Sequence, residues 1–303
     1  MRALLTAFTS AIFALVAGSA SIQSRQVAAG SLQQVQNYGD NPAGVPMYIY
    51  VPRSLGDSPA IVVAIHYCTG TAQAYYNGSP YAQLAEQYNF IAIYPSSPHS
   101  GTCWDVSSQQ TLAHNGGGDS NSIANMVTWT LDQYGADPAK VFVTGSSSGA
   151  MMTNVMAAAY PELFAAGTVY SGVPAGCFYS QSGAVDGWNN SCANGQVQAS
   201  PQVWGDTARA MDPGYEGAYP AMQIYHGSAD GTLLPPNYDE TMKQWADVLG
   251  YEYGSPEATE QNTPQNGYTT TVYGPKLEGI YAQGVGHTVP IRGDDDMRWF
   301  GLA

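Results

Sequence analysis

The pentapeptide GSSSG at residues 145–149 limits the possible folds more than any other part of this 303-residue chain. An apolar, β-branched run at 141–144 ends directly before it, and a run rich in alanine and methionine at 150–159 begins directly after it. A sharp turn between a strand and a helix strains its central residue and needs glycine on either side. A flexible Gly/Ser linker is the alternative, but a linker would not join a strand directly to a helix. We therefore predict that Ser147 is a nucleophile presented on a strand–turn–helix.

Apolar runs typical of buried strands recur along the chain, and segments with helical periodicity lie between them. The predicted strands lie at 47–51, 60–66, 90–94, 141–144, 164–171, 221–225 and 269–273. The predicted helices lie at 81–87, 120–133, 150–159 and 238–249. This alternation predicts an α/β fold with a mostly parallel central sheet flanked by helices. Functional residues of such sheets gather at the carboxyl ends of the strands.

Residues 1–20 have the pattern of a secretory signal peptide, with an early Arg2, an apolar run at 11–16 and small residues before Ala20. We expect cleavage near Ala20, with further trimming to about residues 25–30 as an alternative. A membrane anchor is the competing interpretation, but an apolar run this short does not span a bilayer. The sequence therefore predicts a secreted, extracellular protein.

The chain is strongly acidic. Its formal net charge of −14 results from 23 acidic and 9 basic residues. This charge repels the phosphates of nucleic acids and the surfaces of anionic membranes. We therefore expect neither nucleic acid nor a membrane as a partner of this protein.

Four cysteines in a secreted chain predict two disulfides, for which three connectivities exist. Pairing of sequence neighbours favours Cys68 with Cys103 and Cys177 with Cys192. No Cys-x-x-Cys pair occurs, so we do not expect a metal site. The sequon that begins at Asn189 predicts an N-glycosylation site.

A serine hydroxyl needs a histidine base, and in this kind of fold the histidine follows the nucleophile and an orienting acid along the chain. Three of the five histidines precede Ser147, namely His66, His99 and His114. His226 lies at the end of a predicted strand, ahead of the expected acid. His287 lies in a glycine-flanked loop beyond the last predicted strand. We therefore predict that His287 is the base, with a purely structural histidine as the alternative.

The expected acid is Asp230, which lies in a turn directly after the predicted strand at 221–225. Asp206 and Asp212 are the alternatives, but neither follows an apolar strand so closely. An ordinary turn aspartate before a glycine is the structural alternative for Asp230.

The tetrahedral intermediate of such a reaction needs backbone N–H groups directed at its oxyanion. One is expected from Ser148 and the second from the loop at 66–71, where Cys68 is the best candidate. A bridge from Cys68 to Cys103 would hold this loop in place. The loop between the other two cysteines carries Trp188, which we expect either to contact the substrate or to be a buried structural residue.

These motifs together resemble the carbohydrate esterase family 1 acetylxylan esterases of filamentous fungi, a group with the α/β-hydrolase fold. Feruloyl esterases and polyhydroxybutyrate-depolymerase-like esterases share the same signatures. The matching segments are HYCTGT at 66–71, CW at 103–104, GSSSGAM at 145–151, HGSAD at 226–230 and GH at 286–287. The resemblance implies removal of acetyl groups from xylan, with Ser147, Asp230 and His287 as the catalytic triad.

The resemblance covers essentially the whole mature chain, with one departure at Tyr67, where many relatives have glycine. We expect residues 31–303 to form a single catalytic domain without a carbohydrate-binding module. We also expect a monomer that needs no metal or organic cofactor, and activity that falls in acid as the base becomes protonated. The competing functions are a feruloyl esterase, a polyester depolymerase, a peptidase and a catalytically silent binding protein.

Overall fold

The computed structural model describes residues 27–303, so the predicted signal peptide at 1–20 lies outside the described residues. Within 27–303 the chain forms ten strands: β1 (Leu32–Val35), β2 (Met47–Tyr50), β3 (Ala60–Ile65), β4 (Phe90–Pro95), β5 (Val141–Ser146), β6 (Ala166–Tyr170), β7 (Ala221–Gly227), β8 (Ala258–Gln261), β9 (Tyr268–Gly274) and β10 (Leu277–Ala282). The same region forms eight helices: α1 (Ala72–Gly78), α2 (Tyr81–Tyr88), α3 (Asp119–Tyr134), α4 (Ser148–Ala159), α5 (Asn190–Ala193), α6 (Pro201–Arg209), α7 (Pro236–Leu249) and α8 (Gly293–Trp299). None of the helices in this region has the length and apolar character required to cross a membrane.

All ten strands of the described region belong to one sheet, in the order β1-β2-β4-β3-β5-β6-β7-β10-β9-β8. The central strands from β4 to β10 in this order are parallel to one another. The strands at the two edges of the sheet pair antiparallel. The prediction of an α/β fold with a mostly parallel central sheet is therefore confirmed, and the antiparallel edges are an addition that the sequence pattern did not indicate.

Different helices cover the two faces of the sheet. In β3, Ile61 and Val63 belong to a core that includes side chains of α3, α4, α6 and α7, whereas Val62 belongs to a core that includes side chains of α1, α2 and α8. This alternation follows from the two-residue period of a strand. Helix α4 lies within the larger core, and all of its residues are buried. Its short alanine side chains allow that close packing.

Strand β10 is a central strand that the apolar pattern does not reveal, because Glu278 and Gly279 interrupt its sequence. The glycine has a packing reason. A Cβ atom at Gly279 would lie 2.7 Å from the sulfur of Met242 and would also meet the ring of Tyr238, both on α7. Strand β10 therefore packs closely beneath α7 at this position, where a larger residue would have to displace Tyr238 and Met242.

Helix α8 buries the carboxyl group of Asp296 beside the central sheet. Tyr81 and Tyr170 donate their hydroxyl protons to its two oxygens over 2.8 and 2.7 Å. The Tyr170 hydroxyl oxygen in turn accepts the backbone N–H of Arg292 at 3.0 Å. Burial raises the pKa of Asp296 from 3.8 to about 7. The group therefore takes up a proton on folding in weakly acidic solution.

We expect Asp296→Asn to change how stability depends on pH. Because the folded-state pKa is raised, the contribution of Asp296 to stability is present below the unfolded pKa and is lost as the pH rises through about 7. The variant lacks this titration, so its free energy of unfolding relative to wild type should increase between pH 4 and pH 8, by about 4 kcal/mol at most. Urea unfolding measures the difference, and the exposed Asp294→Asn serves as the control. A difference that does not vary with pH would contradict the prediction.

Candidate active site

Ser147 occupies the sharp turn between β5 and α4. Its φ of 55° and ψ of −119° form a strained conformation for a residue with a side chain. A Cβ atom at Gly149 would lie 2.6 Å from the carbonyl oxygen of His66, so α4 can begin this close to β3 only with glycine there. The backbone N–H of Ser147 donates to the carbonyl oxygen of Tyr170 at 2.9 Å. The strained turn expected from the glycine spacing is thus present.

Ser147, His287 and Asp230 form one hydrogen-bonded chain. Nε2 of His287 lies 2.7 Å from Oγ of Ser147, and Nδ1 of the same ring lies 2.8 Å from Oδ2 of Asp230. Asp230 follows β7 and His287 follows β10, so both reach the carboxyl edge of the sheet where β5 ends. Because the carboxylate accepts the Nδ1–H, the lone pair of Nε2 faces the serine hydroxyl. This arrangement can transfer a proton from the serine to the histidine.

The carboxylate of Asp230 is buried and accepts hydrogen bonds from two backbone N–H groups and one imidazole. Its Oδ1 accepts the backbone N–H groups of Thr232 and Leu233 at 2.8 and 3.0 Å, while Oδ2 accepts from His287. Burial acts to raise the pKa of Asp230, but the hydrogen bonds from His287 and Thr232 outweigh it and hold the pKa below its ordinary value. Asp230 is therefore ionised, as an acid that orients a histidine must be.

The alternative acids lie away from this chain of hydrogen bonds. Asp206 is on α6, where its Oδ1 accepts from Arg209 at 2.7 Å. Asp212 lies 3.8 Å from His114, which is itself not part of the site.

Sequence reasoning did not predict that His226 lies beside the acid of the site. Chain order excluded it as the base, yet the structure places its Nε2 3.3 Å from Oδ2 of Asp230 and 2.9 Å from the carbonyl oxygen of Leu233. Burial lowers the pKa of His226, so the ring is neutral and its Nε2–H donates to Leu233. His226 thereby holds the turn that supplies Asp230 with a backbone donor. The spacing of four residues between His226 and Asp230 in the sequence could have indicated this role of His226.

The loop at 66–71, named here the oxyanion loop, is held by His66. Nδ1 of His66 donates to the carbonyl oxygen of Tyr67 at 2.7 Å, and Nε2 accepts the backbone N–H of Ser97 at 3.0 Å. Burial lowers the pKa of His66, which favours this neutral form. The hydrogen bond to Tyr67 fixes the backbone directly before Cys68.

Cys68 and Ser148 are the two predicted oxyanion donors. Cys68 lines the same cleft as Ser147. Ser148 is the first residue of α4, so its N–H has no acceptor within the helix. Among residues 27–303, neither of these two N–H groups donates to a protein acceptor. This lack of a protein acceptor in the described part of the chain is consistent with the prediction for Cys68 and Ser148.

The hydroxyls that flank Ser147 are engaged elsewhere. Oγ of Ser146 lies 3.0 Å from the hydroxyl of Tyr75, and Oγ of Ser148 accepts the backbone N–H of Trp104 at 2.7 Å. Of the three neighbouring serines, only Ser147 contacts the imidazole of His287.

Trp104 connects two parts of the site, a role that its place in the CW motif at 103–104 did not by itself reveal. Its backbone N–H donates to Ser148, and its indole Nε1 donates to the carbonyl oxygen of His66 at 2.8 Å. Its ring is 1% exposed and packs against the ring of His66. Trp104 thus joins the start of the oxyanion loop to the start of α4.

Both disulfides join cysteines that are neighbours in sequence, Cys68–Cys103 and Cys177–Cys192. The first ties the oxyanion loop to the segment that leads into Trp104. The second closes the segment that carries the substrate-binding candidate Trp188.

Trp188 lines the cleft and is 53% exposed, so the alternative of a fully buried structural tryptophan is wrong. Its ring packs edge-on against Phe178, with 5.2 Å between centroids. The loop before it is anchored to the segment after Trp104. Oδ1 of Asp105 accepts the N–H of Asp186 at 3.1 Å, while Oγ of Ser107 accepts the N–H of Gly187 at 2.8 Å.

The cleft around Ser147 has a volume of about 1120 Å³. Tyr67 and Cys68 line one part of it, Trp188 lines another, and the segment 287–291 after β10 completes the lining. This size accommodates a substrate much larger than a single acyl group.

Metal-ligating side chains come together at one place within residues 27–303, formed by His114, Glu162 and Asp212. None of the three lines the cleft. Nδ1 of His114 lies 2.7 Å from the carbonyl oxygen of Ala159, a contact in which it acts as a hydrogen-bond donor rather than as a metal ligand.

The central strands are parallel, and a strained serine lies between one of them and a buried helix. A histidine and an ionised aspartate lie in line with the serine hydroxyl. These features together define the serine hydrolases of the α/β-hydrolase fold.

Comparison with known proteins narrows this class. The family model described as "Esterase PHB depolymerase" matches residues 46–261. A protein named "Probable acetylxylan esterase A" from Neosartorya fischeri is 68% identical over 305 residues, covering 100% of this chain and 83% of the relative. "Acetylxylan esterase A" from Aspergillus ficuum is 70% identical over 274 residues, covering 90% of each chain. The solved structure titled "Acetyl xylan esterase from Aspergillus awamori" matches with a TM-score of 0.90 and 69% identity, covering 90% of this chain and 100% of that one. The chain belongs to the esterase PHB depolymerase family, among the esterases known as acetylxylan esterase A.

We expect His226→Leu to reduce kcat by about tenfold, which corresponds to about 1.4 kcal/mol of transition-state stabilisation. Loss of the bond to Leu233 frees the turn that orients Asp230, so kcat should fall while KM changes little. His226→Gln retains a side-chain N–H donor and should recover most of the activity. The measurement is the steady-state hydrolysis of a small acetyl ester, with thermal unfolding to compare the stability of the two variants. Equal losses of kcat in both variants would show that the imidazole shape, rather than its donor, matters.

Proposed function

We propose that this protein is a secreted esterase that removes acetyl groups from acetylated xylan. The observation that carries the proposal is the hydrogen-bonded chain of Ser147, His287 and Asp230, in a sequence 68–70% identical to proteins named acetylxylan esterase A. Two disulfides and the signal-peptide pattern of residues 1–20 support secretion, because disulfides persist in oxidising compartments.

In the first half of the proposed reaction, Oγ of Ser147 attacks the acetyl carbonyl carbon while Nε2 of His287 takes the hydroxyl proton. The carbonyl oxygen becomes an oxyanion, which the N–H groups of Cys68 and Ser148 stabilise. The carbon–oxygen bond to the sugar then breaks, and His287 returns its proton to the departing sugar oxygen. Asp230 stabilises the imidazolium between these two proton transfers. The acetyl group is left on Ser147.

In the second half, His287 removes a proton from water, and the resulting hydroxide attacks the acetyl-enzyme. The same two N–H groups stabilise the second oxyanion. The bond to Ser147 breaks, His287 protonates Oγ, and acetic acid leaves and loses its proton to the solvent as acetate. In both halves, the proton transfers to and from the enzyme pass through Nε2 of His287.

Trp188 is proposed to contact the xylan chain. It is half exposed at the edge of the cleft, and its flat ring can pack against the C–H face of a sugar. The bond from its Nε1 to Asn190 at 3.0 Å and the contact with Phe178 fix the ring in place before substrate binds.

The N-glycan on Asn189 and the monomeric state stay predictions. Oδ1 of Asn189 accepts the N–H of Cys192 at 3.1 Å and caps α5. Its Nδ2, the atom to which a glycan would attach, donates to the carbonyl oxygen of Cys177 at 3.2 Å. Digestion of the secreted protein with an endoglycosidase and measurement of its solution mass would test both.

The purified protein should release acetate from acetylated xylan, and Ser147→Ala should lower the rate by about a millionfold, to the background of the assay. Ser146→Ala is the matched control, because its hydroxyl contacts Tyr75 and takes no part in the proposed reaction. Ser146→Ala should therefore keep most of the activity. Acetate release and the hydrolysis of methyl ferulate are measured side by side.

Each outcome distinguishes one of the competing functions. Weak acetate release with strong cleavage of methyl ferulate would keep the serine mechanism and identify a feruloyl esterase. Release of hydroxybutyrate from polymer granules would identify a polyester depolymerase. No turnover of any of these esters would contradict the proposal.

A further inference from the structure

The segment 181–187, which leads into Trp188, is held at one place. Its first five residues are all exposed. Apart from bonds to the residue directly before it, every hydrogen bond that joins this segment to the rest of residues 27–303 ends on Asp105 or Ser107. We name Asp105 and Ser107 the loop anchor. Nothing in the proposed reaction uses either of these two side chains.

Ser107 holds the segment through its hydroxyl group. Its Oγ accepts the backbone N–H of Gly187 at 2.8 Å, and its hydroxyl proton is donated to the carbonyl oxygen of Ala184, 2.9 Å away. Ser107 is fully buried. A Cβ atom at Gly187 would lie 3.4 Å from this Oγ, so the backbone of the segment packs directly against the hydroxyl. One side chain thus holds both ends of the turn 184–187.

Asp105 holds a residue between those two contacts. Its Oδ1 accepts the backbone N–H of Asp186 at 3.1 Å. The φ of Asp186 is 54°, a left-handed conformation that costs free energy for a residue with a side chain. Burial acts to raise the pKa of Asp105, but its hydrogen bonds, led by those from Ser108, outweigh burial and hold the pKa below its ordinary value. Asp105 is therefore an ionised and strong acceptor.

The loop anchor is continuous with the part of the site that carries the proposed oxyanion donors. Trp104, the residue before the anchor, joins Ser148 to His66. The backbone N–H of Asp105 donates at 3.0 Å to Oδ2 of Asp119, the buried first residue of α3. The anchor is therefore fixed relative to the nucleophile, and the segment bonded to it takes its position from the same framework.

Trp188 has two side-chain contacts of its own, but neither acts on the backbone that leads into it. Phe178 packs against the indole ring, and Asn190 accepts its Nε1–H. The backbone before Trp188 is positioned by the loop anchor instead. Without the anchor this exposed backbone would have to be ordered each time a long substrate binds, and that ordering would reduce the affinity for the substrate.

We propose that Asp105 and Ser107 are positioning residues that determine how strongly the cleft binds a long substrate, because they hold Trp188 where a sugar chain can contact it. The inference rests on the proposed function, in which Trp188 contacts the xylan chain. Loss of the anchor acts on the binding of the polymer. The chemical steps at Ser147 then proceed with little change once the substrate is bound.

The test compares two neighbouring serines. Ser107→Ala removes the hydroxyl that holds segment 181–187, so KM for acetylated xylan should rise about tenfold with little change in kcat. Ser108→Ala is the matched control, because Ser108 is equally buried and also bonds to Asp105 but does not contact the segment. It should leave KM at the wild-type value. Hydrogen exchange of the Gly187 amide should become about tenfold faster in Ser107→Ala alone.

A double-mutant cycle with Trp188→Ala separates positioning from a general structural role. Because Ser107 is proposed to act through Trp188, Ser107→Ala should raise KM much less in the Trp188→Ala protein than in the wild type. Additive effects of the two substitutions on KM would overturn the proposal. An unchanged exchange rate of the Gly187 amide in Ser107→Ala, or an equal rise of KM in Ser108→Ala, would also overturn it.

Failure of the proposed function has a different result. In that case the wild-type protein releases no acetate from acetylated xylan, while the exchange rates still report the anchor without any substrate. Faster exchange of the Gly187 amide in Ser107→Ala than in Ser108→Ala would then support the anchor, and equal exchange rates in the two variants would overturn it.

Discussion

The backbone contact between the start of α4 and the end of β3 is the constraint on which the rest of the structure depends. A side chain at Gly149 would meet the carbonyl oxygens of Ile65 and His66, and one at Gly145 would meet the backbone of Gly149. Because both side chains are absent, strand, turn and helix pack main chain against main chain. The contact brings the oxyanion loop, which starts at His66, against the turn that carries Ser147. The relative position of the proposed nucleophile and its proposed donors is therefore set by the backbone.

Buried polar groups then fix what the backbone contact brings together. Trp104 satisfies both the carbonyl oxygen of His66 and the hydroxyl of Ser148. Leaving either partner unpaired in this dry region would cost about 1–3 kcal/mol. His226 performs the same task on the other side of the cleft, where it holds the turn after Asp230. The groups proposed to react are thus supported by neutral donors and acceptors.

Much of the site could be predicted from the sequence, because its elements are local. The glycines around Ser147, the strand before Asp230 and the chain order that selects His287 are all visible in short windows. Supporting residues could not be predicted in this way. Asp296 accepts from Tyr81 across 215 positions of the chain, and Asp105 meets the N–H of Asp186 across 81. Strand β10 was missed because Glu278 and Gly279, the latter packed closely beneath α7, interrupt its apolar pattern.

The hydrogen bond between Ser147 and His287 spans 140 positions of the chain, and the one between His287 and Asp230 spans 57. Contacts of such long sequence separation form late and slowly during folding, because the intervening chain must be ordered first. A nascent chain that has completed β1 to β6 already contains the serine but neither of its partners. A molecule with hydrolytic activity is therefore one in which the sheet is complete. The rate at which activity recovers during refolding measures how fast β10 docks beside β7.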